Sequence, residues 1–359
     1  MRALIVGGGT GGHVIPGLAI ARELRDRHRA ECLFVGTPRG LEGKLVPAAG
    51  FAIEMVTVGQ FNNVSFRKRL RTALDLPRSV IDALRIMSHF HPNVVISVGG
   101  YASGPGAAAA IFRRTPLLAF EPNLVPGMAN RAVARLVTAA AVHFPQTAKM
   151  FRNAEVTGVP VRREFFDVPP VQACPDAPNL LVFGGSQGAR AINDAFIAAL
   201  PALEKKLPHL RIVHQTGTKD LDRVRAAYSS LTPGTRLATS EVRDFISDMA
   251  THFSVAQAIV CRSGASTAAE VAAAGRAAIF IPFPQAADDH QTKNAEAFAA
   301  CDAALLLAQS QLTAESLIAA LLTLLSDPVK LARMGANARQ MSHPRAAERI
   351  AEMAAHMAK

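Results

Sequence analysis

A chain of 359 residues, 50% hydrophobic and 19% charged, is long enough for two domains with ordinary cores and too apolar for wholesale disorder. Its net charge of +11 sits in one half: residues 1–163 carry 21 Lys+Arg against 9 Asp+Glu, whereas residues 164–359 carry 18 against 19. That asymmetry predicts an anionic partner for the first half, whether nucleic acid, anionic lipid or a phosphorylated substrate. Nucleic acid is disfavoured, because there are 2 Tyr, no Trp and no RNA-binding motif. Four cysteines (Cys32, Cys174, Cys261, Cys301) stand far apart, which predicts reduced, mostly buried thiols in a cytoplasmic protein rather than metal ligands or disulfides. Glycines break the N-terminal apolar run at Gly7, so it does not read as a signal peptide, and no run of about 18 apolar residues predicts a membrane span.

The chain opens as strand, loop, helix. Ala3–Val6 is a short apolar run, the helical pattern begins around Leu18, and Pro16 is expected in the first helical turn. "CLFVG" (32–36), "NVVISVGG" (93–100), "PLLAF" (116–120) and "TAAAVHF" (138–144) predict buried parallel strands separated by helices, hence a doubly wound α/β domain. "DVPPVQACPDAPN" (167–179) reads as a linker or surface loop. The pattern then restarts: "LLVFGGSQGA" (180–189) echoes "LIVGGGTGG" (4–12), and "RIVHQTG" (211–217), "AIVCRSG" (258–264) and "AAIFIPF" (277–283) supply further strands. The expectation is two similar doubly wound domains facing across a cleft: residues 1–163, residues 164–340, and a helical tail, 341–359, packing back on the first.

Gly7, Gly9 and Gly12 match G-x-G-x-x-G, but the second strand ends Val35-Gly36-Thr37 with no carboxylate for a dinucleotide ribose. A triphosphate loop fails as well, since His13 and Val14 stand where Lys and Ser/Thr are required. What remains is bare main chain opening a helix, a setting suited to anions or phosphorylated sugars. Gly184–Gly188 and Gly99–Gly106 repeat the device, so three anion-friendly loops are expected. His13, just past the first loop, is a candidate general base. Asp220-Leu221-Asp222 matches the metal-binding D-x-D pattern but reads as a solvated helix start in "TKDLDRVRAAY".

"GGTGGH" (8–13), "GGYASGPG" (99–106), "EPN" (121–123), "TGVPVR" (157–162), "GGSQGA" (184–189), "CRSGASTAAE" (261–270) and "DDHQTKNA" (288–295) occur in the order of the MurG family of peptidoglycan glycosyltransferases, which the chain resembles over nearly its whole length. The resemblance implies a GT-B fold of two Rossmann-like domains. It implies inverting transfer of GlcNAc from UDP-GlcNAc to the C4 hydroxyl of MurNAc-(pentapeptide)-pyrophosphoryl-undecaprenol, lipid I to lipid II. No cofactor and no metal are implied. The first domain would meet the acceptor and the second the nucleotide sugar. Carried onto this sequence, His13 is the first choice of base and Glu121 the second. The donor contacts are Thr10, Gly11, Gly12, Asn123, Arg162, Ser186, Ile246 (main chain to uracil), Ala265, Ser266, Thr267, Ala268, Ala269, Glu270 (ribose) and Gln291 (sugar hydroxyls). The acceptor contacts are Gly100, Tyr101, Ser103 and Gly104. The family's H-E-Q-N is Phe120-Glu121-Pro122-Asn123 here, so a histidine's role at that position has no counterpart.

The implied site of action is the cytoplasmic face of the bacterial inner membrane, held peripherally. The stretch 64–87, which mixes Phe66, Leu70, Leu74, Val80, Leu84 and Met87 with six arginines and lysines, is expected either to lie on anionic lipid or to pack into the first domain with a break at Pro77. The competing readings are another GT-B UDP-sugar enzyme, such as an epimerase or a glycolipid synthase, and a non-enzymatic nucleic-acid binder.

Overall fold

The computed structural model describes residues 1–38, 40–58, 66–171 and 177–359; of residues 66–75 only the helical course is described. The chain forms two compact units, Met1–Val161 with Arg345–Lys359, and Arg162–Pro344.

The first unit carries a seven-stranded parallel sheet: β1 (Arg2–Gly7), β2 (Glu31–Gly36), β3 (Ala52–Met55), β4 (Val94–Gly99), β5 (Leu117–Glu121), β6 (Ala139–Val142) and β7 (Ala154–Val156), in the order β3-β2-β1-β4-β5-β6-β7. The second carries six parallel strands: β8 (Asn179–Phe183), β9 (Arg211–Gln215), β10 (Glu241–Arg243), β11 (Ala258–Cys261), β12 (Ala277–Phe280) and β13 (Ala304–Leu306), in the order β10-β9-β8-β11-β12-β13. The central strands are near-continuous runs of buried Val, Ile, Leu and Ala because helices cover both faces. In the second unit Leu180, Val182, Ile212 and Val260 meet Phe196, Leu200 and Leu321 from the covering helices. In the first, Leu4, Val95 and Leu117 meet Ala107, Ala110 and Met87.

In each sheet the strand order reverses at one point, between β1 and β4 and between β8 and β11. Loops leaving the carboxyl ends of the two strands there diverge, and the opening between them is where such folds bind ligands. Gly7–Gly12 and Gly99–Gly106 follow β1 and β4; Gly184–Gly188 and Arg262–Gly264 follow β8 and β11.

Several expectations are corrected. The first helix spans Gly11–His28, so Pro16 lies in its second turn; lacking an N–H, it offers Gly12 no helical donor. Helix Phe66–Phe90 runs through Pro77 without a break. Its described end buries Ala83 and Met87 in the core, while the side chains of Phe66, Leu70, Leu74 and the neighbouring basic residues lie outside the described residues. The expected linker is bound to the second unit. Arg276, 1% exposed, donates to the carbonyls of Pro169, Phe253 and Ser254, and Arg339 donates to those of Phe166 and Val168. Helix Ala346–Met357 packs on Gly11–His28, tied to it by Arg27–Glu348 and to β7 by a two-point Arg349–Glu155 pair. Cys32 and Cys261 are buried and Cys301 is exposed; Cys174 lies outside the described residues.

Candidate functional site

In the second unit the donor candidates gather at the β8/β11 opening. Helix Ala265–Ala274 starts behind Gly264 and buries Ala265, Ala268 and Ala269 against the sheet, which leaves Ser266, Thr267 and Glu270 on its other side. The Ser266 hydroxyl oxygen is buried and has no hydrogen-bond partner among the described residues. Glu270 stands one turn further on; burial pushes its carboxyl up to about 7, against the pull of Arg162, whose Nη2 lies 3.9 Å away. Arg162, half-exposed, also reaches Glu164 at 3.3 Å and lies over the Phe165 ring. Ser186 is exposed on the Gly184–Gly188 loop. Gln291 accepts the Phe283 N–H at 3.0 Å through Oε1, an arrangement that turns its amide NH2 outward as a donor.

Two residues missed from sequence brace this site. Gln215, 1% exposed at the end of β9, donates to the Gly185 carbonyl at 2.9 Å and accepts the Ile246 N–H at 2.8 Å. It therefore ties the glycine loop to the uracil candidate, and Ile246 keeps its carbonyl, not its N–H, for a base. Arg262, 9% exposed, donates to the Ile281 and Pro282 carbonyls and to Gln309, fixing the segment that leads to Phe283. Behind them Asp220 is buried rather than solvated: Asn193 and Arg223 hold it, while Asp222 is exposed. Among the described residues no group of three metal-ligating side chains occurs.

In the first unit, His13 Nδ1 lies 3.1 Å from the Gly8 carbonyl, with the Thr10 hydroxyl at 3.3 Å. A carbonyl can only accept, so Nδ1 carries the proton and Nε2 the lone pair. A Cβ on Gly99 would stand 2.8 Å from the ring, so only glycine lets the imidazole in. The loop is a poorer anion cradle than its sequence suggests: Gly8 N–H goes to the Gly99 carbonyl and Gly9 N–H to the Glu42 carboxylate. Gly11 and Gly12 begin the helix itself, and Thr10 is exposed before them.

Glu121 is 2% exposed. Its Oε1 accepts the N–H and the side-chain amide of Asn123, and its Oε2 accepts Gly127 N–H and the Asn130 amide. Asn130 in turn accepts from Ser97 and donates to the Phe120 carbonyl. Burial raises the Glu121 carboxyl above the usual range, but all its contacts are structural, so a base role would require this loop to open. Phe120 is wholly buried in β5 and offers nothing to a ligand. Of the acceptor candidates, Gly100, Tyr101 and Gly104 are partly exposed on the loop after β4. Ser103 is not available: it is fully buried, and its hydroxyl donates to the Val6 carbonyl at 3.1 Å.

Residues 3–142 match the glycosyltransferase family 28 N-terminal domain and residues 179–350 the family 28 C-terminal domain. The UDP-N-acetylglucosamine--N-acetylmuramyl-(pentapeptide) pyrophosphoryl-undecaprenol N-acetylglucosamine transferase of Solibacter usitatus is 43% identical over 358 residues, covering 99% of this chain and 96% of that protein. The protein of the same name from Syntrophotalea carbinolica is 44% identical, covering 98% and 97%. The crystal structure of Acinetobacter baumannii MurG superposes with a TM-score of 0.82 at 33% identity, covering 98% of this chain and 99% of that one. With its two parallel α/β sheets in a GT-B fold and this full-length likeness, the chain belongs to the MurG family of glycosyltransferases.

Proposed function

We propose that the chain moves N-acetylglucosamine from UDP-GlcNAc to the C4 hydroxyl of MurNAc-(pentapeptide)-pyrophosphoryl-undecaprenol, lipid I to lipid II, with inversion at the anomeric carbon. The observation that carries this reading is the start of helix Ala265–Ala274, in a chain that matches transferases of that name end to end. A buried polar atom without a partner calls for a ligand, and Ser266 Oγ sits at a helix N-terminus, where anions are favoured, with Glu270 one turn along. Glu270 accepts the ribose hydroxyls, the Ile246 carbonyl meets uracil, the Gln291 amide donates to the sugar, and the main-chain N–H groups of Ala265–Thr267 line the nucleotide. Arg162 and the Ser186 loop meet the diphosphate as charge grows on leaving UDP.

His13 Nε2 takes the proton of the acceptor hydroxyl as its oxygen attacks the anomeric carbon and the bond to UDP breaks. Thr10, Gly11 and Gly12 line that histidine's loop as donor contacts, Gly100, Tyr101 and Gly104 are acceptor contacts, and Glu121 holds Asn123 in place. The basic first half suits a diphosphate acceptor at an anionic surface. No described helix is long and apolar enough to cross a membrane. Peripheral attachment at the cytoplasmic face would use Phe112, 78% exposed beside Arg113 and Arg114, and Leu136, 61% exposed beside Arg135.

Incubation with radiolabelled UDP-GlcNAc and a short-chain lipid I analogue tests the reading. Labelled disaccharide with stoichiometric UDP release is expected, and no turnover without acceptor. Conversion of UDP-GlcNAc to its C2 epimer without acceptor would replace it with the epimerase reading.

A further inference from the structure

Glu42 opens the helix Glu42–Ala48, in a stretch of sequence that resembles an ordinary surface turn, yet its side chain is 0% exposed. Its Oε2 accepts the Gly9 N–H at 2.6 Å, and its Oε1 accepts both the N–H and the hydroxyl of Thr37 at 2.8 and 3.0 Å. Three glycines clear the space: a Cβ on Gly8, Gly36 or Gly40 would overlap the Glu42 carboxylate or the carbon that bears it. A buried acid enclosed on three sides and satisfied by three donors is built for a purpose, and packing alone would have selected an apolar side chain.

We propose that Glu42 is a positioning residue for the transfer reaction, acting through His13. It pins the Gly8–Thr10 turn against the loop after β2, which keeps the Gly8 carbonyl where it accepts a hydrogen bond from His13 Nδ1–H and so turns Nε2 toward the acceptor hydroxyl. The charge type matters. Three donors converge on two oxygens, and an amide in the same place would point its NH2 at the Gly9 N–H or at the Thr37 N–H. The proposal rests on the reading of His13 as the base.

The test measures kcat, acceptor KM and UDP affinity of the full chain for Glu42→Gln, His13→Ala and the double variant. Glu42→Gln should lower kcat by about 10²-fold, the scale of a base misplaced by about an ångström, with acceptor KM and UDP Kd near wild type. In the His13→Ala background it should cost nothing further, because the pair acts as a unit. A wild-type kcat for Glu42→Gln beside a crippled His13→Ala overturns the Glu42 proposal alone, as does a full additional loss in the double variant. A wild-type kcat for His13→Ala overturns the base assignment itself, and with it any route through His13. Should Glu42→Gln fail to fold, Gly40→Ala displaces the carboxylate from its other side; it carries the same expectation, and a wild-type kcat there overturns the proposal.

Discussion

His214 makes the stability of the second unit depend on pH. It lies wholly buried in β9, with Nε2 at 3.1 Å from Asn193 Oδ1 and Nδ1 at 3.3 Å from the Tyr228 hydroxyl. Burial depresses its pKa to about 3, only weakly opposed by Asp220. In the unfolded chain the same imidazole titrates near 6.5. The folded state therefore binds fewer protons than the unfolded one below pH 6.5, and stability is lost as pH falls from there toward 3. Linkage gives a loss of about 1.4 kcal/mol at pH 5.5 and about 2.7 kcal/mol at pH 4.5 from this one group. The chain's 2 Tyr and absent Trp supply the assay. In a Tyr101→Phe background, fluorescence of Tyr228 reports the second unit alone. Urea unfolding of that protein and of its His214→Gln counterpart, from pH 7.5 to 4.5, cancels the acid sensitivity of other groups in the difference. His214→Gln should be less stable at pH 7.5, and the gap should shrink by the amounts above as pH falls. A gap that stays constant across the range would refute the reasoning.

Other outcomes follow from the donor and acceptor geometry. His13→Ala should lower kcat by about 10²- to 10⁴-fold with UDP-GlcNAc affinity unchanged, by steady-state kinetics and calorimetry. Gln215→Leu frees the Gly185 carbonyl and the Ile246 N–H together; calorimetry should show the UDP Kd rising roughly tenfold, and an unchanged Kd removes Gln215 as a brace. Burial pushes Glu270 up to about 7, and under the proposed reading only its carboxylate would accept from ribose, so UDP-GlcNAc affinity should fall roughly tenfold from pH 8 to pH 6. Glu270→Gln should bind weakly with a flat pH profile; a profile like wild type's assigns the titration elsewhere. Phe112→Asp with Leu136→Asp should abolish flotation with anionic vesicles while leaving turnover of a soluble acceptor analogue intact.

The strands that could be read from sequence are the buried ones. β1, β2, β4, β5 and β6, and β8, β9, β11 and β12, announce themselves as apolar runs because helices cover both faces. The four that escaped, β3, β7, β10 and β13, are the four sheet edges: three or four residues each and partly exposed, with only β13 set in an apolar run, Ala303–Ala308. The prolines misled because a proline inside a helical pattern need not end the helix, as Pro16 and Pro77 show. Of the site candidates, the glycine loops, His13 and the Ser266–Glu270 helix were those that local pattern could propose. Glu42, Gln215 and Asn130 were not, because each works across a gap of many residues: Glu42 on Gly9, Gln215 on Ile246, Asn130 on Ser97. A signal for Glu42 was present in Gly36 and Gly40, where a Cβ would overlap its side chain. Ser103 shows the opposite failure, a motif residue whose hydroxyl is spent inside the fold.

The first unit is written in two pieces, Met1–Val161 and Arg345–Lys359, with the whole of the second unit between them. On a ribosome, Arg162–Pro344 is therefore complete while its neighbour still lacks the helix that lies along Gly11–His28. The second unit would mature first, and the unit carrying His13 would gain that support only after it. A chain cut short near residue 344 would keep the whole of the second unit and leave the first without the helix that covers Gly11–His28.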